Sequence, residues 1–556
     1  MFINKIRRSR ILTVLLLCTA IFTILAAETI INLTPPIDRD ALIHHLAIPK
    51  LWLKNGGFYE IKWAGFSYFP MNVDLLYLIP LYLNKDFLAK FIHMAFGLGT
   101  AILIFSYLRK RISVIAGLLG VVVFLSTPMI FRLSTEVYVD LGLIFFTTAS
   151  ILALIRYFDG ECAESRWLLI SAVCMGLALG TKYNAMIVWF FLTLAVIFIC
   201  SRQTGRQWNS IKYGAVFFLV SLVVFSPWLI KNYILTGNPF HPLMGAIFNK
   251  GASATSEGVR SLVYGHTYMG LFQMRENMFG EGFWETLLIP VRYFFQGQDN
   301  SPRYFDGVLN PLLILLPPFA FMNKSLFRDK LLFLIFAVFV IITATFLDHI
   351  RIRYILPAIP VLCIMAVMGF SNISNWMMNR PNNLRYALIT AFLAAVIVLL
   401  GQNALYMKNY YQRITPWNYV TGKESRDDFI SRHVGSYPAM QYINQSSPEN
   451  SRVRLLFLGR RGYYLDRMYE DDATMGMNFI RGLVQASTDE DAFLNRLHSS
   501  GHTHWLVRID LFHKFLQDNY SADTIHLLLQ RMNESMDVIY NKDGYAIYQI
   551  SAVDYP

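Results

Sequence analysis

PPIDRDALIHHLAIPKLWLKNGG, residues 35–57, places two acids, Asp38 and Asp40, immediately after the first long apolar run of the chain. What they can do depends on what surrounds them, and the surroundings are those of an integral membrane protein. Of 556 residues, 55% are hydrophobic and only 15% charged, and the mean hydropathy is +0.40. The apolar runs are long enough to cross about 30 Å of hydrocarbon at roughly 20 residues each. Spans are expected near 11–31, 87–108, 113–131, 138–156, 167–181, 185–200, 212–231, 307–322, 330–347, 353–370 and 385–404, about eleven in all. A carboxylate held at the rim of such a bundle can do chemistry on a lipid head group.

Lys and Arg near span ends stay on the cytoplasmic side. With the N-terminus inside, the inner loops collect Arg7, Arg8 and Arg10, then Arg109, Lys110 and Arg111, then Arg202 and Arg206, then Lys324, Arg328 and Lys330. The short outer turns hold only Arg132, Lys182, Arg351 and Arg353. An odd number of spans then puts both long hydrophilic loops and the tail beyond 404 outside. The chain is therefore expected in the bacterial cytoplasmic membrane, multi-pass, with a periplasmic C-terminal domain. The first span has the basic start of a signal peptide, but its length and the ten spans that follow make it an uncleaved anchor. The net charge of +12 lies largely in inner loops, where topology explains it, so nucleic acid is excluded as a partner. Cys18, Cys174 and Cys363 fall in spans, Cys200 at an inner span end and Cys162 in an inner loop, and the tail has no cysteine.

The chain thus divides into a membrane domain, 1–404, and an extracytoplasmic domain, 405–556. In the latter, 453–459, 503–509 and 545–550 read as strands and 491–500 and 522–532 as amphipathic helices, which predicts a small α/β domain. The fold class is mainly α, a polytopic helical bundle with that small domain attached.

Ionisable residues at span ends need a reason to be there. Glu136 and Asp140, in STEVYVDLGLIFF (134–146), stand one helical turn apart at the outer end of the fourth span, so a helix there would put both on one face. Lys182, in LALGTKYNA (177–185), caps the outer end of the fifth, and Arg351 and Arg353 sit at the outer start of the tenth. All share the predicted membrane surface of Asp40. A lipid-phosphate-linked sugar needs cations on its departing phosphate and a carboxylate to take the proton from an attacking hydroxyl. Phosphate is a good enough leaving group to need no general acid, and the transition state is oxocarbenium-like.

DALIHHLAIPKLWLKNGG (40–57), followed by YFPMNVDLLY (68–77), then TEVYVDLGLIFF (135–146), LALGTKYNA, SPWLIKNYILTGNPFHP (226–242) and RIRYILPAIP (351–360) carry a resemblance. In that order, across the membrane domain, they resemble the C-fold (GT-C) integral membrane glycosyltransferases that use polyprenyl-phosphate sugars, the group of the family 39 protein O-mannosyltransferases and the aminoarabinose transferase of lipid A. Each string alone is weak; together, in order and on one side, they are more specific. The resemblance implies that Asp40 is the general base, with Asp38, displaced by two residues, its neighbour. It implies that Asp140 supports the first loop or a metal, with Glu136 beside it, and that Lys182 and Arg353, flanked by Arg351 and Tyr354, contact the lipid phosphate. The sequence departs from the group's Asp-Glu pair, since Asp40 is followed by Ala41, and His44 or His45 is a candidate for the second position.

Each residue also has a structural reading. Asp38 and Asp40 follow Pro35 and Pro36 and would serve as helix N-caps; Glu136 would be a solvated span end; Lys182, Arg351 and Arg353 would snorkel to the interface. His502 and His504 alternate on a predicted strand without a third metal ligand of suitable spacing. Asp40, His44, His45 and Asp140 could together hold a divalent ion, although their spacing does not itself point to one, and no other cofactor is indicated. The loop 232–306, with Gly280, Gly282 and Gly297, is long enough to close over an acceptor. The function expected is an inverting transferase moving a sugar from a polyprenyl-phosphate carrier to an acceptor glycan, lipid or protein on the outer face. A transporter or lipid-linked-sugar flippase is the rival from another class; it predicts ionisable groups at span midpoints and matching halves, whereas here they cluster at one surface.

Overall fold

The computed structural model describes residues 2–248, 270–347, 350–471 and 474–551. It is mainly helical, and the protein is a multi-pass membrane protein. Among the described residues, eight helices are long and apolar enough to cross a membrane: Arg10–Asn32, Leu88–Arg111, Asp140–Asp159, Ala185–Thr204, Gln207–Thr236, Phe327–Phe346, Ile352–Met378 and Asn382–Ile414. Three shorter apolar helices, Val114–Ser126, Ser165–Leu179 and Leu312–Met322, fall where the sequence predicts the remaining spans. The segment Ile352–Ala358 is a 3-10 turn that passes into the helix Ile359–Met378. Pro357 and Pro360 account for this, since neither can donate a backbone hydrogen bond to an α-helical turn.

Without a strong hydrophobic drive between helices in lipid, small residues at crossings set how closely they pack. A Cβ on Gly176 would strike Val224 and the Ser221 carbonyl, and one on Gly369 would strike the Leu316 carbonyl. At the end of the bundle away from Asp140, Arg111 and Arg328 both pair with Asp159 at 2.5 and 2.6 Å, and Tyr107 donates to Asp329 at 2.8 Å. Three helices are tied there. Cys162 and Cys200, at this same end, are joined as a disulfide with Cα atoms 6.0 Å apart.

The last long helix continues past residue 404 to Ile414, and beyond it lies a five-stranded sheet, β1 (Arg452–Leu456), β2 (Met468–Glu470), β3 (His504–Arg508), β4 (Met536–Lys542) and β5 (Tyr545–Ile550), in the order β2-β1-β3-β5-β4. β1 pairs in parallel with β2 and β3, while β5 pairs antiparallel with β3 and β4. Side chains alternate between faces of a strand. Accordingly Leu456, Trp505 and Val507 pack with Leu483, Phe493 and Leu528 of the domain's helices, while Val453, Leu455, Leu506 and Ile547 join the core shared with the membrane domain. β2 and β4 are additional to the strands expected from sequence. β4 is mostly exposed, so it lacks a clean hydrophobic alternation; its hairpin turn, Asp543-Gly544 at φ +53° and +81°, is the dipeptide that favours such a turn.

The domain is docked on residues 36–86. Tyr463 donates its backbone N–H to the Leu42 carbonyl at 3.2 Å, Lys50 donates to the Tyr463 carbonyl and to Asp466, both at 2.7 Å, and Arg426 pairs with Asp86 at 2.6 Å.

Candidate active site

Asp40 opens a one-turn π-type segment, Ala41–His45, that precedes the helix Ala47–Lys54. Its side chain makes no capping bond to that turn, so the N-cap reading fails for it. The carboxylate instead accepts from Arg353 Nη1 at 2.5 Å, a residue at the start of the late span. Burial raises the Asp40 carboxyl; the charge and hydrogen bond of Arg353, together with His44 and His45, outweigh it and hold the group below the ordinary carboxylate range.

The π-type turn sets His44 and His45 side by side, ring centroids 4.0 Å apart, with His44 stacked on Phe66 at 4.3 Å. His45 Nδ1 lies 2.6 Å from Asp74 Oδ1, and Asp74 is a member of the YFPMNVDLLY string. Burial pushes both toward their neutral forms, His45 down to about 4 and Asp74 up to about 7. His45 is thus committed to an acid that the sequence reading did not single out.

Asp140 is the first residue of its helix, 1% exposed, and accepts from Lys182 Nζ at 2.7 Å. Lys182 Nζ and Arg353 Cζ lie 5.2 and 5.5 Å from the Tyr354 ring centroid, so one aromatic face sits between the two cations expected on the lipid phosphate. Asp140 therefore anchors Lys182, and it also lies near enough to His45 and Asp74 of the first loop for its charge to act on both. Among the described residues no three His, Cys, Asp or Glu side chains converge as metal ligands.

Glu136 does not share a helical face with Asp140, because the helix begins only at Asp140. The chain before it turns back, and Glu136 accepts from Arg132 at 2.8 Å. Arg132 also reaches Asp299 at 3.0 Å and Asp306 at 3.4 Å, so one guanidinium serves three acids. Burial raises Glu136 to about 7 against the charge of Arg132. Asp38 accepts from the Val137 backbone N–H at 3.4 Å and supports this turn from behind.

Asp40, His44, His45, Glu136, Lys182, Arg351, Arg353 and Tyr354 all border one cavity of about 980 Å³. Asp38 and Asp140 stand behind its wall. Arg132, Tyr138, Asp74 and the tail's Arg460 and Arg461 border it too. Arg460 and Arg461 lie between Gly459 and Gly462, with Gly459 and Arg460 at φ +66° and +64°, and that basic doublet was the available signal for them. His502 and His504 do not act together: His502 pairs with Glu470 at 3.3 Å, and His504 Nδ1 bonds Thr503 Oγ1 at 2.8 Å. Of the long loop, residues 249–269 lie outside the described residues; Leu271, Met274, Asn300, Pro302 and Asp306 border the cavity. Gly280 and Gly282 stand at the ends of short loop helices.

The remaining strings prove to be clamps on the first loop. Trp228 Nε1 donates to Asn72 Oδ1 at 2.8 Å, and Asn232, one turn on, donates to the carbonyls of Tyr68 and His241 at 2.8 and 3.0 Å. The Asn72 backbone N–H donates to the Gly180 carbonyl at 2.8 Å, and any Cβ on Gly180 would collide with the Asn72 amide. Asn232→Ala should leave buried carbonyls unpaired and cost about 1–3 kcal/mol, read as a lower melting temperature in detergent with the secondary structure retained.

This architecture has solved counterparts. ArnT from Cupriavidus metallidurans bound to undecaprenyl phosphate superposes with a TM-score of 0.57 at 14% identity, covering 97% of this chain and 98% of that one. The fold is that of the GT-C glycosyltransferases. ArnT in the apo state gives 0.56 at 14% identity, over 98% of each chain. The apo Archaeoglobus fulgidus oligosaccharyltransferase gives 0.53 at 11% identity, over 97% of this chain and 75% of that one. The sequence profile described as dolichyl-phosphate-mannose-protein mannosyltransferase matches residues 77–230, which hold Glu136, Asp140, Lys182 and Trp228. No curated protein matches it in sequence.

Asp74 and Glu136 carry a pH dependence. The folded values of about 7 lie above the ordinary 3.8 and 4.5, so the fold favours the protonated acids. Their contribution to stability is full below the ordinary carboxylate values and is lost as pH rises through about 7. The melting-temperature advantage of Asp74→Asn over wild type should therefore grow from about pH 5 to about pH 8; an advantage that shrinks over that range would contradict the assignment.

Proposed function

We propose that the chain is an inverting glycosyltransferase that moves a sugar from a polyprenyl-phosphate carrier to an acceptor glycan, lipid or protein. It would do so at the outer face of a bacterial cytoplasmic membrane, with the N-terminus inside and the C-terminal domain outside. The observation that carries this reading is one cavity bordered by the Asp40 carboxylate, by Arg353 bonded to it, and by Lys182 across the Tyr354 ring. The binding of undecaprenyl phosphate by ArnT supports the carrier class.

In the proposed step the acceptor hydroxyl oxygen bonds to the anomeric carbon while the bond from that carbon to the phosphate oxygen breaks. The phosphate leaves with the electron pair. Lys182 and Arg353 stabilise its charge, and Asp40 accepts the hydroxyl proton. A single displacement from the opposite face inverts the anomeric centre. Asp140 holds Lys182 in place.

The resting pair of Asp40 and Arg353 gives the donor a second role. While the guanidinium rests on the carboxylate, Asp40 is a weak base. A donor phosphate competes for the same guanidinium; once Arg353 turns to it, the carboxyl loses the largest charge that opposes its burial. The base is strengthened by the substrate it serves.

The test is mass spectrometry of carrier lipids and envelope glycans from cells with and without the gene, paired with transfer by the purified protein. The expected result is accumulation of one polyprenyl-phosphate sugar in the deletion strain and its consumption in vitro. Unchanged carrier pools together with no turnover would overturn the assignment.

A further inference from the structure

A second, smaller groove of about 240 Å³ opens where the first loop meets the tail's edge strand β2. Its aromatic wall is Trp63, partly exposed, with its ring centroid 5.2 Å from that of Tyr469, and Tyr59 beside them. Each side carries one acid and one base, Glu60 and Lys62 on the first loop and Glu470 and Arg452 on the tail, so the formal charge is balanced and a polyanion gains nothing there. The Tyr68 hydroxyl donates to Glu60 at 2.7 Å, which fixes that carboxylate. His502 borders the groove at 7% exposure. Its Nε2 lies 3.3 Å from Glu470, and among the described residues no group hydrogen-bonds its buried Nδ1. A buried polar atom left without a partner is costly unless a ligand or water satisfies it.

We propose that this groove is an acceptor subsite that binds one ring of an uncharged glycan. Oriented carboxylates and an imidazole offer the paired donors and acceptors that vicinal hydroxyls need, and the Trp63 ring supplies a flat apolar face for the C–H side of a pyranose. The volume is below the roughly 300–1,000 Å³ of pockets that enclose whole drug-sized ligands, which suits a single sugar unit. The same two segments border both pockets: Gly65, Phe66, Arg460 and Arg461 border the cavity, while residues 59–63 and 468–470 border the groove. An acceptor chain laid along that seam would place its reacting hydroxyl at Asp40 and an earlier sugar against Trp63. This rests on the glycosyltransferase reading, which it deepens by naming the acceptor as an extended neutral glycan.

Saturation-transfer NMR on the full chain in nanodiscs, with mannotriose, cellotriose and chitotriose as probes, tests it. At least one trisaccharide should bind saturably, with the affinity falling about tenfold in Trp63→Ala and recovering to within about threefold in Trp63→Phe. Glu470→Gln, a milder change, should also weaken binding. Absence of saturable binding by every probe, or equal binding by wild type and Trp63→Ala, overturns the proposal. So does capture of an extended peptide along β2 in place of any saccharide. Full transfer activity in Asp40→Asn would instead defeat the glycosyltransferase reading and leave the binding result standing.

Discussion

Asp40→Asn is expected to reduce transfer by about 10²–10⁴-fold, the range over which a positioned base contributes, while binding of the carrier phosphate changes little. The isosteric amide keeps the size of the side chain and can still meet Arg353 through its carbonyl oxygen, so folding should survive. What disappears is the group that takes the proton. The measurement is turnover of purified protein with its polyprenyl-phosphate sugar, alongside undecaprenyl phosphate binding as the control for an intact site. Activity within a few-fold of wild type would remove Asp40 from the chemistry, and with it the mechanism.

Arg353→Ala should cost about 10²–10³ in turnover, comparable to deleting one donor from a charge-stabilising site, with Arg353→Lys recovering part of it because the charge is kept but the forked geometry is lost. The diagnostic is the pH profile. Arg353 is the largest of the charges that hold Asp40 below the ordinary carboxylate range against burial, so its removal raises the Asp40 pKa. The base form then requires a higher pH, and the acid limb of the rate profile shifts upward. A loss of activity with the acid limb unmoved would mean that Arg353 serves the phosphate alone and does not restrain the base.

Arg353 and Asp40 stand 313 residues apart, and how each became visible differs. Most of the side chains that the sequence points to at one membrane surface border one cavity, Asp38 and Asp140 excepted, because span ends are read from local hydropathy and a charge at a span end has few places to go. Glu136 illustrates the limit of that reading. Its spacing from Asp140 matches a helical turn, yet the helix starts only at Asp140, and Glu136 instead pairs with Arg132. Asp74 was passed over because a lone acid in a short apolar string has no periodic signature; its importance comes from His45, brought to it across 29 residues. The tail's contribution to the cavity was equally hidden, since nothing in the loop of Arg460 and Arg461 shows that the domain folds back against Leu42 and Lys50.

By itself the sequence determined the membrane class, the approximate number and ends of the spans, and the short list of ionised residues at one rim. These depend on the transfer free energy of consecutive residues, a sum that needs no partner. Only the tertiary structure decided which acid meets which cation: Asp40 with Arg353, Asp140 with Lys182, His45 with Asp74. Those pairings depend on which distant loops are buried together, where desolvation and a single close charge outweigh any local preference.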